Sequence, residues 1–548
     1  MDINKFLKTH FIEILVSIIG VVSGYVLMFS TFYKNNSTLF IATKAWSDFA
    51  SHIPLIRSFS LGQNFPPQYP LFPGEPIKYH FIFYALAGLL EKIGLPIDLA
   101  LNIPSFLGFL LLIILIYYFA KEIFKSKIVG LISVIFFLFN SSLSFIYFFQ
   151  KFPLSRDTVW QIISNNNFVS FAPYASGIIS AFWNLNIYTN QRHLAISFAL
   201  SLALIYLLIK PIISKSRVSP RIIFLLAILF GFSFFLHTAV FLMTLVIIFL
   251  LAIAFPKIRK ECFLVLFLGG FIAFPQYIYL KGAAGFSPKI VFGFLVSYQP
   301  TLYKFLQFWF YNLGLSLFLI PLGFFISTRI QKKVLVIFFF LFLIGNSIQF
   351  SPEIAANHKF FNYFLIVGNM FSAYFLIKLW NKSKIIKPIV VILFFFMIFG
   401  GIIDIFPILN DGKVSIPDYE INQNALWIKN NTLPTSVFLN TTFLYDPASL
   451  AGRKIFMGWP YFAWSQGYNT DKRGQAMKSI LGAPDKQTAC KLLIQSRIDY
   501  IEIKIQNPPD PNIPPISNIF SKRFTKRYEN SNDNYSIYRV SDNCDEGI

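Results

Sequence analysis

The chain has 548 residues, of which 55% are hydrophobic, 68 are phenylalanine and only 13% are charged; its mean hydropathy is +0.59. A soluble domain carries about twice that charge, so a water-soluble globule is excluded. The formal net charge of +22 gathers in short loops between apolar runs, as cytoplasmic loops of membrane proteins do; no compact basic domain or binding motif points to nucleic acid.

In chain order, Lys5 and Lys8 precede an apolar stretch from Phe11 to Phe32. It is too long for a signal h-region and lacks a clear cleavage site, so it reads as an uncleaved anchor. Further apolar runs cover 98–120, 128–149, 192–210, 222–236, 238–255, 262–280, 304–327, 334–350, 359–379 and 388–408. Each spans or nearly spans a hydrocarbon core of about 30 Å, and in lipid such runs are helices. About eleven crossings are therefore expected.

Charge settles the ambiguous stretch 222–255. As a hairpin with Gly231 and His237 near its middle, it puts every basic loop on one side. These loops carry Lys121, Lys125 and Lys127; Lys210, Lys215, Arg217 and Arg221; Lys257, Arg259 and Lys260; Arg329, Lys332 and Lys333; and Lys378, Lys382, Lys384 and Lys387. The expected topology has a cytoplasmic N-terminus and an extracytoplasmic C-terminal segment.

Two outer segments are more than simple loops. The first, 33–97, has a polar helix-like start, a Pro-rich middle (Pro66, Pro67, Pro70, Pro73, Pro76) and an apolar stretch from Phe81 to Leu90. That stretch is too short to cross and is expected along the outer interface. The second, Lys151 to Gln191, holds the apolar piece Phe168 to Trp183, expected to be interfacial or re-entrant.

After Leu409 polar residues return. A helix from Glu420 to Lys429, a strand at Val437, a helix around Gln487 to Gln495, the alternating run from Ile498 and an edge-like strand Tyr535 to Val540 predict a small α/β domain. The expected division is a membrane domain over 1–408 and an extracytoplasmic domain over 409–548. Cys490 and Cys544 both lie in that second part and could form a disulfide in an oxidising compartment. Two cysteines are too few for a zinc site.

Ionisable groups near a bilayer cost several kcal/mol unless they meet water or partners. Five of the six histidines, all but His10, fall on the expected outer side, together with Asp48, Glu75, Lys78, Arg156, Asp157, Arg192, Lys281 and Lys359. On a helix, Asp48 and His52 would share a face. A carboxylate there can take a proton from an acceptor hydroxyl, or with the imidazole hold a divalent ion; a local hydrogen bond is the plain alternative. The aromatic stretch Gly458 to Tyr468 could stack on sugar rings or form a buried core. Arg453 and Asp446 beside it can serve simply to fix that loop.

The segment W-S-D-F-A-S-H (Trp46 to His52) joins Y-P-L-F-P-G-E-P-I-K-Y-H-F (Tyr69 to Phe81), N-Q-R-H (Asn190 to His193), F-W-F-Y-N-L-G (Phe308 to Gly314) and N-H-K-F-F (Asn357 to Phe361). L-A-G-R-K-I-F-M-G-W (Leu450 to Trp459) and W-S-Q-G-Y follow. On this architecture they resemble the GT-C superfamily of membrane glycosyltransferases, which includes protein O-mannosyltransferases, aminoarabinose transferases of lipid A and uncharacterised bacterial members. The resemblance implies a polytopic α-helical membrane protein with a small C-terminal α/β extracytoplasmic domain. It implies an inverting transfer from a polyprenyl-phosphate sugar to a glycan, lipid or protein acceptor.

By that resemblance Asp48 is the catalytic base and His52 its assistant. Arg192, Lys359, His193 and His80 are candidates for the donor phosphate, as a guanidinium fork suits phosphate geometry. Glu75, Tyr79, His237 and Trp459 are candidates for substrate contact. The family's paired acids are missing, because Phe49 and Ala50 follow Asp48. A divalent cation, Mg or Mn, at Asp48 and His52 stays open. The competing readings are a transporter or lipid-carrier flippase, which would favour midplane charges and internal repeats, and an inert membrane scaffold. No nucleophile motif or phosphate-binding Gly loop is evident.

Overall fold

The computed structural model describes residues 3–169, 177–214, 216, 218–281, 287–296, 300–506, 508 and 510–544, with side chains from residue 9 and excepting Lys281. The side chains of Lys5, Lys8 and Lys281, the loop residues Lys215 and Arg217, and the middle of the piece 168–183 lie outside the described residues.

The protein is a multi-pass membrane protein. Among the described residues, seven helices are long and apolar enough to cross: Thr9–Phe29, Ile97–Phe124, Leu194–Ser214, Pro256–Leu280, Arg329–Ser347, Ile354–Trp380 and Lys384–Leu409. An eighth span counts if the bent pair Leu302–Leu313 and Ser316–Phe325 is one crossing. Lys127–Leu138, Pro220–Leu236 and Thr238–Ala254 are apolar but shorter. Every expected crossing thus contains helix, although two are interrupted.

The run 304–327 is bent by 87° at Gly314, whose φ of 53° ends the first helix in a conformation that glycine adopts without strain. The run 128–149 is two helices, Lys127–Leu138 and Ser144–Lys151. Between them Asn140 and Ser141 use their side chains on backbone groups outside the helix ladder. Asn140 Nδ2 donates to the Trp183 carbonyl at 3.0 Å, and the Ser141 hydroxyl donates to the Ser142 carbonyl at 3.1 Å. Such side chains compete with the helix ladder.

The chain divides into two compact units. The first comprises 1–31, 102–277 and 288–412; the second comprises 32–101, 278–287 and 413–548. The outer segment, placed with the membrane domain by sequence, therefore groups with the C-terminal region.

In the first unit the helix His358–Trp380 is buried along most of its length. Peripheral helices instead show apolar residues outward, as Phe267, Phe271 and Phe274 do on Arg259–Lys281. Apolar character on all sides is what a bilayer solvent permits. Gly231 and Gly269 lie at a close crossing: a Cβ on Gly231 would sit 2.7 Å from the Gly269 carbonyl oxygen. Small residues allow such approach where lipid supplies no hydrophobic drive. The described residues 177–183 of the piece 168–183 are mostly deeply buried in the protein. Trp183 donates from Nε1 to Asn312 Oδ1 at 2.8 Å, and Asn312 also accepts from the Ile179 amide at 3.0 Å.

The second unit starts with a hairpin, Phe32–Asn35 and Thr38–Ala42. Its turn residues Asn36 and Ser37 both have positive φ, 45° and 57°, as a two-residue turn matched to strand twist requires. Lys413–Pro417 adds a third antiparallel strand. The helix Trp46–Ser60 follows, and Ile82–Lys92 packs on it, with Gly88 against the Ile56 carbonyl.

The C-terminal sheet has five strands in the order Lys454–Ile455, Val437–Leu439, Tyr500–Lys504, Tyr535–Arg539, Lys526–Asn530. The first three run parallel; the last two pairings are antiparallel. Tyr535–Arg539 is therefore interior, not an edge. The edge on this side is Lys526–Asn530, whose sequence K-R-Y-E-N carries the charges that protect an edge from further pairing. Helices Thr470–Leu481 and Lys486–Gln495 close the core with Met477, Ile480, Leu493 and Ile501. Cys490 and Cys544 form a disulfide, and Cys262 is free and buried.

Candidate active site

In the second unit, Asp48 lies in the first turn of the helix Trp46–Ser60, where the helix dipole favours a carboxylate. Its side chain is half-buried. The Ser51 hydroxyl donates to the Asp48 carbonyl at 2.8 Å and firms that turn. Two phenols feel the carboxylate. Burial, reinforced by Asp48, pushes both Tyr79 and Tyr445 up from the ordinary phenol range. The Tyr445 hydroxyl donates to the Trp46 carbonyl, and the two rings stack at 5.8 Å.

His52 sits one turn after Asp48. It is buried, its Nε2 lies 2.8 Å from the Tyr84 hydroxyl, and the two rings stack at 4.5 Å. A cation held by Asp48 and His52 would thus use one carboxylate and Nδ1. That set fits Mg or Mn poorly, since both prefer six mainly oxygen ligands.

Glu75 pairs with Lys78 at 2.9 Å, and Lys78 Nζ also reaches the Gly467 carbonyl at 3.2 Å and lies over the Tyr468 ring. His80 is buried with its ring 3.5 Å from that of Tyr79. Trp459 is half-buried and meets Phe443 edge-on at 5.9 Å, as part of the α/β core. Tyr461 and Trp464 are the outward rings of this stretch, 46% and 42% exposed. Asp446 caps the short helix Pro447–Leu450, while Arg453 donates to the carbonyls of Lys429, Thr432 and Ala451. Both fix the loop, as their plain reading expects.

In the first unit a basic group collects at helix ends. His193 precedes Leu194–Ser214, His237 separates Pro220–Leu236 from Thr238–Ala254, and His358 and Lys359 open His358–Trp380. All four are buried. The rings of His193 and His237 are 5.0 Å apart, and Lys359 and His358 lie within electrostatic reach of His237. A lysine with imidazole N–H groups gathered around it suits an anion.

Arg192 is fully buried among neutral acceptors. Its Nε donates to the Thr189 carbonyl at 2.8 Å, Nη1 to Asn102 Oδ1 and the Met28 carbonyl at 3.2 Å each, and Nη2 to Thr31 Oγ1 at 2.7 Å. It ties three helical segments together.

Sequence reasoning missed Tyr445, Tyr84 and Asn312. Only the local motif F-Y-N-L-G had pointed near Asn312. Tyr445 carries no sequence signal, because its value comes from a contact with Trp46, 399 positions away.

No protein-family model matches the chain, and no curated protein matches it. Among solved structures it is similar to the Archaeoglobus fulgidus oligosaccharyltransferase tethered with an acceptor peptide (TM-score 0.43, 13% identity, 91% of this chain and 70% of that one). It is also similar to oligosaccharyltransferase AglB from Archaeoglobus fulgidus with an inhibitory peptide and a dolichol-phosphate (0.44, 12%, 91% and 70%). A third similar structure is the Archaeoglobus fulgidus oligosaccharyltransferase with Zn and sulfate (0.45, 13%, 89% and 68%).

Proposed function

We propose that this protein is a membrane glycosyltransferase that moves a sugar from a polyprenyl-phosphate carrier to an extracytoplasmic acceptor. The N-terminus is cytoplasmic and the C-terminal region is outside, in keeping with the Cys490–Cys544 disulfide and the compartment such bonds need. The observation that carries the reading is Asp48: a half-buried carboxylate on a helix's first turn, beside two phenols, soon after the first apolar helix.

Asp48 takes the proton of an acceptor hydroxyl as that oxygen bonds to the anomeric carbon. The bond from that carbon to the phosphate oxygen breaks, the polyprenyl phosphate leaves with the electron pair, and the single displacement inverts the centre. Positive charge fixed in advance stabilises a departing phosphate. Lys359 is assigned that charge, His193 and His237 are assigned to hydrogen bonding with the phosphate, and Arg192 holds the helical segments next to His193. Glu75, Tyr79, His80 and Trp459 belong to the same unit as Asp48 and are assigned to substrate contact there.

The test is transfer of labelled sugar from a polyprenyl-phosphate carrier by purified protein in nanodiscs. Asp48→Asn is expected to lower kcat by about 10²–10⁴-fold. Full activity in that variant would remove the assigned base.

A flippase is the second reading, favoured by Asp404. This acid is buried in the helix Lys387–Leu409 beside the Asn184 amide, and intramembrane acids often mark transport paths. Carrier scrambling across proteoliposomes without sugar transfer would select it.

A further inference from the structure

Tyr445 is one of the few non-glycine residues with positive φ, at 51°. A tyrosine gains nothing locally from that backbone conformation, which costs of order 1 kcal/mol or more and persists only where surroundings enforce it. The next residue, Asp446, provides part of the enforcement. It starts Pro447–Leu450 by accepting from the Ala448 amide at 2.8 Å. The result throws the Tyr445 side chain onto the helix Trp46–Ser60. Its hydroxyl donates to the Trp46 carbonyl, and its ring lies on the Trp46 indole with 18° between planes.

That helix lacks a side-chain cap: Ala45 stands at its N-cap position, where it supplies no hydrogen-bonding oxygen. An uncapped first turn frays readily. Asp48 lies within it, so any fraying moves the carboxylate. The clamp from Tyr445 acts two residues upstream of Asp48, on the same turn.

We infer that Tyr445 is a positioning residue for Asp48, holding the uncapped first turn of Trp46–Ser60 through its hydroxyl bond to the Trp46 carbonyl and its stack on the Trp46 ring. The inference rests on the proposed role of Asp48. A general base must sit within hydrogen-bond reach of the proton it takes, and a misplacement of 1 Å can cost about 10²-fold in rate. Tyr445 itself donates to the backbone and transfers no proton to substrate.

The experiment compares Tyr445→Phe, Trp46→Phe and Asp48→Asn in the full-length protein. It measures kcat, KM, pH profile, melting temperature and the rate at which a water-soluble carbodiimide labels Asp48, read by peptide mass spectrometry. Tyr445→Phe removes only the hydroxyl. It is expected to lower kcat by about 10-fold to 10²-fold, leave donor KM unchanged, displace the acidic limb of the pH–kcat profile and change Asp48 labelling. The melting temperature stays near wild type. Trp46→Phe keeps the carbonyl acceptor and an aromatic partner, so its kcat falls less than that of Tyr445→Phe.

A wild-type kcat and pH profile in Tyr445→Phe, alongside an inactive Asp48→Asn, overturns the positioning role alone. Full activity in Asp48→Asn overturns the base and the positioning role together. If Tyr445→Phe melts before assay, the labelling rate of Asp48 in folded Trp46→Ala, which loses the ring stack, against wild type decides, with an unchanged rate counting against the clamp.

Discussion

Arg57 and Asp418 meet in the interior of the second unit. Nη2 of the guanidinium lies 3.0 and 2.9 Å from the two carboxylate oxygens, and both side chains are fully buried. Glu91 reaches Arg57 Nε at 3.1 Å, Lys34 reaches Asp418 at 2.9 Å, and the Tyr419 ring lies 4.6 Å beneath the guanidinium. The network joins the hairpin, both helices of the outer segment and the chain just after the last apolar helix. Removing one partner of such a pair strands the other charge and costs about 3–5 kcal/mol. Asp418→Ala is therefore expected to lower the melting temperature of the detergent-solubilised protein sharply, and Arg57→Met with Asp418→Leu to recover part of the loss, the rest being withheld because Glu91 loses its Arg57 partner. Equal melting of the single and double variants would contradict this account.

A second buried cluster predicts pH dependence. Asp446 and Glu502 are both buried, the Tyr535 hydroxyl donates to Glu502, and Lys504 pairs with Asp533 at 3.0 Å. Burial pushes the Asp446 carboxyl up to about 6, and burial with the Asp446 charge pushes Glu502 well above the ordinary range. A raised acid is held protonated in the fold. Its contribution is complete below the unfolded value near 4 and is lost as pH rises through the folded value. Stability should therefore decline from about pH 4 through about 6 and beyond, as Glu502 ionises in turn. Glu502→Gln should flatten that decline in melts run across the same window. An unchanged slope in the variant would show that other groups set it.

The helices were readable in sequence because lipid forces apolar runs into one conformation, and basic loops such as Lys121 to Lys127 punctuate them. What hydropathy could not show is where a run breaks. The break at Asn140 depends on a partner far away in sequence, Trp183, and the one at Gly314 on a backbone angle that hydropathy does not register. Pairing was equally hidden. Tyr535–Arg539 alternates as an edge strand would, yet it lies between two neighbours, while charged Lys526–Asn530 forms the edge. For the site, Asp48 and Lys359 stood out as charges in an apolar chain. Tyr445 did not, because a tyrosine among 26 carries no signal until its carbonyl partner is known.

The disulfide Cys490–Cys544 joins residues 54 apart, from the helix Lys486–Gln495 to the last turn of the sheet region. Cross-linking a loop of this length stabilises by roughly 4 kcal/mol in the chain-entropy account. The variant Cys490→Ala with Cys544→Ala should unfold its C-terminal region at lower denaturant, read by tryptophan fluorescence. Identical midpoints for variant and parent would mean that the packing of Leu493 and Val540 suffices without the bond.

Arg192 and Lys359 separate scaffolding from binding. Both are buried cations at helix ends, yet Arg192 is wrapped by the Thr189 and Met28 carbonyls, Asn102 and Thr31. Lysine has no planar fork to serve several acceptors at once, and each buried acceptor left unmet costs about 1–3 kcal/mol. Arg192→Lys should therefore depress the melting temperature while the folded fraction keeps its donor KM. Lys359→Met should do the reverse, raising donor KM about 10-fold or more, the worth of one charged hydrogen bond to phosphate, with little change in melting. Its effect should be confined to the anionic donor and leave acceptor KM alone. A rise in donor KM for Arg192→Lys without any drop in melting temperature would instead put the guanidinium at the phosphate.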